Sequence, residues 1–288
     1  MKLFNIIFFI AVNLINAQNK RFYYDYTFAN DSTNLDFKTN EMLVLDVFHN
    51  KSIFYSNKIN QIDSLNLNKK NNVNSIIDPY KELAFREVVV NMQSGNSQLY
   101  YMGGRNQNYY EIDSDIKINW TILPEIKTYE NYKIQKATAK INNRIWNVWF
   151  TKDIPLNNGP YIFKGLPGLI VIAEDNINSH LFRLVGISNI KNVDSYNNIP
   201  LFQSKKYISY SKVKINIIEF KKLLKNHDEE FVNNIIPSAP NGSDVVNSIF
   251  YDSIGNQISE ADYIKNQREN RKKILQKNNN KLINDFKR

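Results

Sequence analysis

Apolar and polar residues alternate in short runs through the first two thirds of the chain. Between residues 21 and 28, Phe22, Tyr24, Tyr26 and Phe28 occupy every second position, which is the period of a strand with one buried face. Runs with strand character recur at residues 42–48, 52–55, 85–92, 98–102, 107–112, 116–122, 132–141, 144–151, 169–174 and 180–187. Because turn-forming residues separate many of these runs, we expect successive antiparallel hairpins.

Helical spacing appears near the C-terminus. Asn216 and Glu219 stand where a capping box has its N-cap and N3 residues, and apolar residues follow at helical spacing. Ser259 and Asp262 open a second capping box. Strands do not alternate with helices along the chain. We therefore predict a mainly β fold: a large curved antiparallel sheet, a sandwich or a partial barrel, with one or two C-terminal helices.

Glycine and proline are concentrated among apolar residues between positions 159 and 170. Pro167 and Gly168 predict a type II turn, because proline fixes φ at the second position and glycine accepts a positive φ at the third. The segment holds no nucleophile, metal-ligand set or phosphate loop, so we interpret it as a structural motif. The residues of this motif are Gly159, Pro160, Gly165, Leu166, Pro167, Gly168, Leu169 and Ile170.

This motif also resembles a known family. The hexapeptide at residues 165–170, preceded by Gly159-Pro160 and by the aromatic residues at 146–150, resembles the GLPGLI family of secreted Bacteroidetes-type proteins. Arg144 and residues 132–137 fit the same pattern, and the resemblance covers residues 120–187. The family has no established activity, so no catalytic residue is implied. A more distant similarity is to the β-rich, bowl-like accessory domain that precedes a bacterial peptide-N-glycosidase.

The N-terminus has the pattern of a secretory signal. Lys2 precedes an apolar run at residues 3–12, and Ala17 is a small residue suited to cleavage. The run is shorter than the roughly 20 residues of a membrane-spanning helix. Cysteine is absent, which excludes a lipoprotein signal and a disulfide framework. We predict export to the periplasm, the outer membrane or the medium, with a signal peptide at 1–17 and a β-rich domain at 18–256.

A basic helical tail is predicted at residues 257–288, and it should be the most mobile part. The chain has 37 Lys and Arg against 28 Asp and Glu, a net charge of +9, and most of this excess lies in the tail. Charge alone would permit nucleic-acid binding, but export argues against that partner. The expected partners are an envelope protein, a glycan or a lipid, with peripheral membrane contact through the tail and no transmembrane segment.

Catalytic chemistry has no clear signature in the sequence. His49, His180 and His227 are scattered without metal-binding spacing, so we predict no catalytic residue, metal or cofactor. His180 is interpreted as a surface or a hydrogen-bonded histidine. Glu111, Asp113 and Asp115 form a solvated turn or a weak calcium site, because the residues that an EF-hand loop requires are missing.

Aromatic residues supply the candidate ligand-binding positions. These are Trp120, Trp146, Trp149 and Tyr161. In residues 144–151, Trp146 and Trp149 should point to opposite faces of a strand. One interpretation places these aromatic residues in the core. The other places Trp149 on an open face, where it would hold a sugar, a peptide or an acyl chain.

Two functions remain open. The first is a non-enzymatic envelope protein, a β-rich module for binding or assembly, and the absence of catalytic spacing favours it. The second is a secreted hydrolase of glycans or peptides, or its accessory domain, with carboxylates drawn from separate strands. Carboxyl groups with displaced pKa values would favour this second function.

Overall fold

A computed structural model describes residues 19–68, 83–93, 95–102, 108–114, 117–141, 144–190, 211–233 and 249–282. The predicted signal peptide lies outside the described residues. The strands are β1 (Lys20–Ala29), β2 (Lys38–Val47), β3 (Lys51–Ser56), β4 (Glu87–Met92), β5 (Ser97–Met102), β6 (Asn108–Ser114), β7 (Thr121–Tyr129), β8 (Tyr132–Ile141), β9 (Arg144–Thr151), β10 (Leu169–Asp175), β11 (His180–Asn189), β12 (Ser211–Ile215), β13 (Phe250–Tyr251) and β14 (Gln257–Ile258). The helices are α1 (Asn57–Asn68), α2 (Ile217–Asn233) and α3 (Glu260–Lys277).

Twelve strands form one sheet, in the order β12-β6-β5-β4-β3-β2-β1-β11-β10-β9-β8-β7. Neighbouring strands are antiparallel except β12 and β6, which run parallel. The order contains two meanders, β1 to β6 and β7 to β11, joined where β1 pairs with β11. The prediction of a mainly β fold with a large sheet and C-terminal helices is confirmed, and the parallel pair makes the sheet mixed.

Strand β1 lies in the middle of the sheet, where the two meanders meet. It pairs with β2 over its whole length and with β11 through one bulge. The aromatic residues at its alternate positions, Phe22, Tyr24, Tyr26 and Phe28, are all buried, as their spacing predicts. The Tyr24 hydroxyl also donates a hydrogen bond to the Ile170 carbonyl at 2.7 Å. Strand β1 therefore contacts the motif at 159–170 directly.

The two faces of the sheet differ in how they are covered. The core face carries the larger apolar cluster, which includes Phe22 and Trp146 and extends to Phe220 of α2. The opposite, outer face carries a smaller cluster over β2 to β6, which includes Tyr55 and Tyr100. Over β8 to β11 the outer face carries exposed side chains, which include Ile145, its cross-strand partner Lys140, and Arg183. Part of the outer face of the second meander is therefore accessible.

Two strands of the large sheet differ from the sequence prediction. The strand predicted at 116–122 is wrong in position, because residues 117–120 are not in a strand and β7 begins at Thr121. Strand β7 contains Pro124, which an edge strand tolerates because its outer N–H groups have no partner strand. The pairing of β7 with β8 is irregular between Ile122 and Ile126. Strand β12 was not predicted; it is five residues long and forms the opposite edge.

Both predicted helices are present and begin at their predicted caps. Asn216 Oδ1 accepts hydrogen bonds from the N–H groups of Ile218 and Glu219, and Ser259 Oγ accepts one from Asp262. Phe220 of α2 is buried on the core face. Among the described residues, no helix is both long and apolar enough to cross a membrane.

The C-terminal tail contacts the sheet domain more closely than its composition predicts. Helix α3, which is described over its whole length, has no buried side chain. Beyond the helix, however, Asn280 is only 6% exposed and Leu282 only 3%. The tail boundary predicted at residue 257 stays a prediction, but the tail's last described residues are part of the core packing.

Candidate functional site

The loop between β9 and β10 is held by backbone hydrogen bonds to itself. Residues 152–168 form this loop, which contains most of the motif at 159–170. The N–H groups of Gly165 and Ile170 donate to the carbonyls of Asn157 and Asn158, and that of Leu169 donates to Ile154. The loop's buried side chains include Tyr161, Phe163 and Leu166. The motif therefore covers part of the core face.

The predicted type II turn is wrong in its geometry. Such a turn has a φ of about +80° at its third residue and often a hydrogen bond from Leu169 N–H to the Leu166 carbonyl. Instead, Gly168 N–H donates to the Leu166 carbonyl at 2.8 Å, and φ of Gly168 is 158°. The chain thus makes a tighter, three-residue turn centred on Pro167.

Close backbone approach explains the glycine at position 168. A Cβ there would lie 2.0 Å from the Thr151 carbonyl oxygen. A Cβ at Gly159 would lie 2.8 Å from both Ile170 Cβ and the Phe163 carbonyl oxygen. Both distances are too short for any side chain, so the two glycines let the loop lie directly against β9 and β10.

Three of the four aromatic candidates surround Phe163 in the core. The Phe163 ring lies 4.6 Å from Trp146, 6.1 Å from Tyr161 and 6.2 Å from Trp120, measured between ring centroids. Trp146 and Tyr161 are each 1% exposed. Trp120 is half-buried, and its indole N–H donates to the Lys164 carbonyl at 2.8 Å. Ligand binding by these three residues stays a prediction; their described contacts are those of core packing.

Trp149 lies apart from them, on the outer face. Cross-strand pairing places it between Lys136 of β8 and Ile172 of β10, and Ile172 is opposite Arg183 of β11. Paired residues share one face of a sheet. The Lys127 ammonium lies 3.9 Å and the Lys136 ammonium 5.9 Å from a Trp149 ring centroid, within the range of cation–π attraction. We call Lys127, Lys136, Trp149 and Arg183 the Trp149 surface.

A buried ionic cluster closes the β10–β11 turn on the core face. Asp175 Oδ1 accepts hydrogen bonds from the N–H groups of Ser179 at 2.6 Å and His180 at 3.0 Å. Asp175 Oδ2 accepts from the Ser179 hydroxyl and forms an ion pair with Arg144. Arg144 also donates to Ser179 Oγ at 2.8 Å and to Asn280 Oδ1 at 3.0 Å. These hydrogen bonds offset part of the cost of burying the charges of Asp175 and Arg144.

His180 belongs to this cluster as a neutral, buried imidazole. Its Nδ1 lies 2.7 Å from the Tyr26 hydroxyl. Burial, and then the charge of Arg144, lower the pKa of His180 to about 4, while burial raises the pKa of Tyr26 well above its usual value. At neutral pH the Tyr26 hydroxyl therefore donates to Nδ1. Of the two interpretations of His180, a hydrogen-bonded histidine is correct and a surface one is wrong.

Two buried glutamates lie on the same face, and the sequence analysis missed them. Glu41 accepts hydrogen bonds from Ser56 Oγ and from the N–H groups of Ala84 and Phe85. Glu87 is 6% exposed, and burial raises its pKa to about 7. Glu87 stands two positions after Phe85, and both side chains point to the core face. An acid in an inward-facing position was the signal that would have found it.

Glu111, one of the three acids considered as a weak calcium site, is paired with lysines. Glu111 is buried between β6 and β12 and forms ion pairs with Lys212 and, at 3.3 Å, with Lys214. Asp115 lies outside the described residues. Among the residues that the structure describes, no group of three or more acids and histidines is arranged to hold a metal ion.

Comparisons with known proteins agree with the fold and name no activity. The family described as "Protein of unknown function (Porph_ging)" matches residues 140–172, which span the end of β8, β9, the loop and the start of β10. No curated protein matches the chain. This short match fits a Bacteroidetes-type family of unknown function.

The sheet is similar to part of a larger solved protein, PNGF-II. Its C2 crystal form has a TM-score of 0.50 and 17% identity, over 81% of this chain and 38% of that chain. Its P21 crystal form has a TM-score of 0.50 and 16% identity, over 81% of this chain and 39% of that chain. The chain thus spans about two fifths of the PNGF-II structures it matches, and at this identity the similarity concerns the fold alone.

Proposed function

We propose that this chain is an exported cell-envelope protein of the GLPGLI type and a non-enzymatic binding module. Its ligand site is the Trp149 surface, and its ligand is an anionic envelope glycan. The observation that carries the proposal is the position of the Lys127 ammonium, 3.9 Å from the ring of an outer-face tryptophan. The signal-like N-terminus and the resemblance at residues 159–170 support the location.

The other polar and aromatic residues considered above support this choice of ligand site, because they form ion pairs, hydrogen bonds or packing contacts within the fold. Asp175 and Arg144 pair with each other, and Glu41 binds backbone N–H groups. Trp146 and Tyr161 pack around Phe163. The Trp149 surface, by contrast, combines an aromatic ring with cations on an accessible face.

The chemistry of the surface fits a sugar that carries negative charge. An indole ring offers a flat apolar face for the C–H groups of a sugar. Lys127 offers charge-assisted hydrogen bonds to phosphate or carboxylate oxygens, and Lys136, whose ammonium lies 3.6 Å from the Glu125 carboxylate, adds positive charge beside it. A phosphate group would draw Lys127 away from the indole, which would free the ring for the sugar. A neutral glycan lacks this attraction and should bind more weakly.

The test is calorimetric titration with the phosphorylated core oligosaccharide of lipopolysaccharide, freed of its lipid. We expect binding by the wild type and a loss of affinity of about tenfold or more in Trp149→Ala and Lys127→Gln. Lys140→Gln is the matched control, because Lys140 lies on the same strand as Lys136 and its change removes the same charge. Phosphatase treatment of the oligosaccharide should weaken binding to the wild type.

Equal affinity in Trp149→Ala and Lys140→Gln would contradict the proposal, and so would a total absence of binding by the wild type. Thermal unfolding of each variant separates a lost contact from a lost fold. Since Trp149 is half-buried, a modest decrease in Tm is expected for its alanine variant and none for Lys127→Gln.

A second candidate is a secreted hydrolase of glycans or peptides, or the accessory domain of one. The raised pKa of Glu87, about 7, favours it, because a general acid needs a proton near neutral pH. Its test is product formation from envelope glycans and peptides, followed by mass spectrometry. Hydrolysis by the wild type that is lost in Glu87→Gln would establish this function instead.

A further inference from the structure

The last described residues of the chain occupy a site built by other elements. Helix α3, described throughout, buries no side chain, yet Asn280 and Leu282 just beyond it are buried. The groups that meet Asn280 are Arg144 of β9, Ala29 of β1 and Asn30. A surface helix is therefore followed by a short segment that enters the sheet domain.

Both polar atoms of the Asn280 side-chain amide make hydrogen bonds. Its Oδ1 accepts a hydrogen bond from Arg144 at 3.0 Å, and its Nδ2 donates to the Ala29 carbonyl at 2.7 Å. Its backbone N–H donates to the Asn30 carbonyl at 3.0 Å. One residue earlier, Asn279 Oδ1 accepts from Ser32 N–H at 2.9 Å.

These contacts select asparagine over related residues. The site presents a cationic donor to one amide atom and a carbonyl acceptor to the other, which is the pattern a carboxamide satisfies. Aspartate would place an oxygen against the Ala29 carbonyl, and alanine would remove both hydrogen bonds of the amide. Two residues on, Leu282 joins the apolar cluster of the core face and supplies an apolar anchor.

We propose that Arg144, Ala29 and Asn30, with the adjoining apolar cluster, form a peptide-binding site for an Asn-X-Leu segment. The chain's own residues 280–282 fill this site in cis. The site is made by β1, Asn30 and β9, whereas its occupant follows α3, which is attached to α2 through a hydrogen bond from Arg271 to the Phe231 carbonyl. The tail can therefore leave the site while the helix stays in place. A partner protein with an exposed Asn-X-Leu segment would bind by displacing the tail.

The first test uses the full chain with its own occupant disabled. In the double variant Asn280→Ala, Leu282→Ala we expect a labelled peptide of residues 276–284 to bind, measured by fluorescence anisotropy. Affinity should be about tenfold or more higher than in the wild type, whose site is filled. Peptides with Asn280→Asp or Leu282→Ala, and a scrambled peptide of equal charge, are the controls and should bind weakly.

The second test needs no variant that risks unfolding. Excess wild-type peptide added to the wild-type chain should speed hydrogen exchange at the Asn280 amide, because the tail is displaced, while amides of β1 stay protected. The scrambled peptide should leave the exchange unchanged. Unchanged exchange with excess wild-type peptide would overturn the proposal, as would equal binding of all peptides by a folded double variant. Dimers that form through tail exchange would identify a second copy as the partner.

Discussion

At the scale of single residues, two glycines explain the motif better than its proline does. Gly159 and Gly168 each lie where a Cβ would meet neighbouring atoms at less than 3 Å. Gly165, in the same loop, has a φ of 96° and open space around its Cβ position. The first two are required by packing and the third by backbone conformation.

Gly168→Ala should therefore destabilise the fold, by on the order of 2–3 kcal/mol, because even a methyl group clashes with the Thr151 carbonyl. The free energy of unfolding from denaturant titration measures it. Gly186→Ala in β11 is the matched control, since its Cβ would lie 3.5 Å from the Tyr23 ring, an ordinary contact. If the two variants unfold alike, the close approach at residue 168 is wrong.

The pKa of Glu87 makes stability depend on pH. Burial raises this pKa from 4.5 to about 7, so the folded protein holds the Glu87 proton more tightly than the unfolded chain does. The resulting stabilisation is complete below pH 4.5 and is lost as the pH rises to about 7. His180, with its pKa lowered from 6.5 to about 4, acts in the opposite direction over an overlapping range.

Glu87→Gln removes this titration while keeping a similar shape. We expect the variant to be more stable than the wild type above pH 7, by up to about 3 kcal/mol, and equally stable near pH 4. Unfolding free energies measured from pH 4 to pH 8 give the difference. A constant difference at every pH would mean that Glu87 does not titrate in this range.

At the scale of elements, the sequence predicts strands better than turns. The alternation of Phe22, Tyr24, Tyr26 and Phe28 predicts β1 because that period follows from local geometry. The turn at Pro167 was predicted incorrectly because its shape depends on the carbonyl of Thr151, which lies on the preceding strand. The β12–β6 pair escaped prediction for a similar reason: nearly a hundred residues separate the paired segments.

For the candidate residues too, the sequence predicts what local geometry determines and not the contacts between distant segments. Opposite directions for Trp146 and Trp149 follow from strand period and are confirmed by their burial. The cluster of Asp175, Arg144 and Asn280 was not found, because residues distant in sequence meet there. No local pattern marks such a site.

Strand β7 lies at an edge of the sheet and carries a feature that opposes pairing with another chain. Its Pro124 lacks an N–H group, and its ladder with β8 is interrupted nearby. Edge strands commonly use proline and irregular pairing to prevent association. The exposed Ile122 and Ile126 make such protection necessary.

Pro124→Thr should therefore increase self-association, because it restores a donor and favours a regular strand. Sedimentation velocity over a concentration series measures it. Pro155→Thr, in the exposed part of the β9–β10 loop, is the control and should remain like the wild type. Association of both variants to the same extent would refute a protective role for Pro124.

At the scale of the whole molecule, the core face of the sheet holds the fold together, and the outer face carries the proposed ligand site. Two meanders join at β1 and β11, and the loop at 152–168, α2 and Leu282 all contribute to the apolar cluster of the core face. Three of the four aromatic candidates, Trp120, Trp146 and Tyr161, surround Phe163 of this cluster. Part of the outer face of the second meander is left accessible, and Trp149 lies on that face.

The three tryptophans of the chain allow one direct measurement of this division. Each indole N–H gives its own signal in a ¹⁵N-correlated NMR spectrum, and the phosphorylated core oligosaccharide is the titrant. We expect the Trp149 signal to shift while those of Trp146 and Trp120 stay in place. A shift of the Trp146 or Trp120 signal with Trp149 unchanged, or no shift in any of the three, would contradict it.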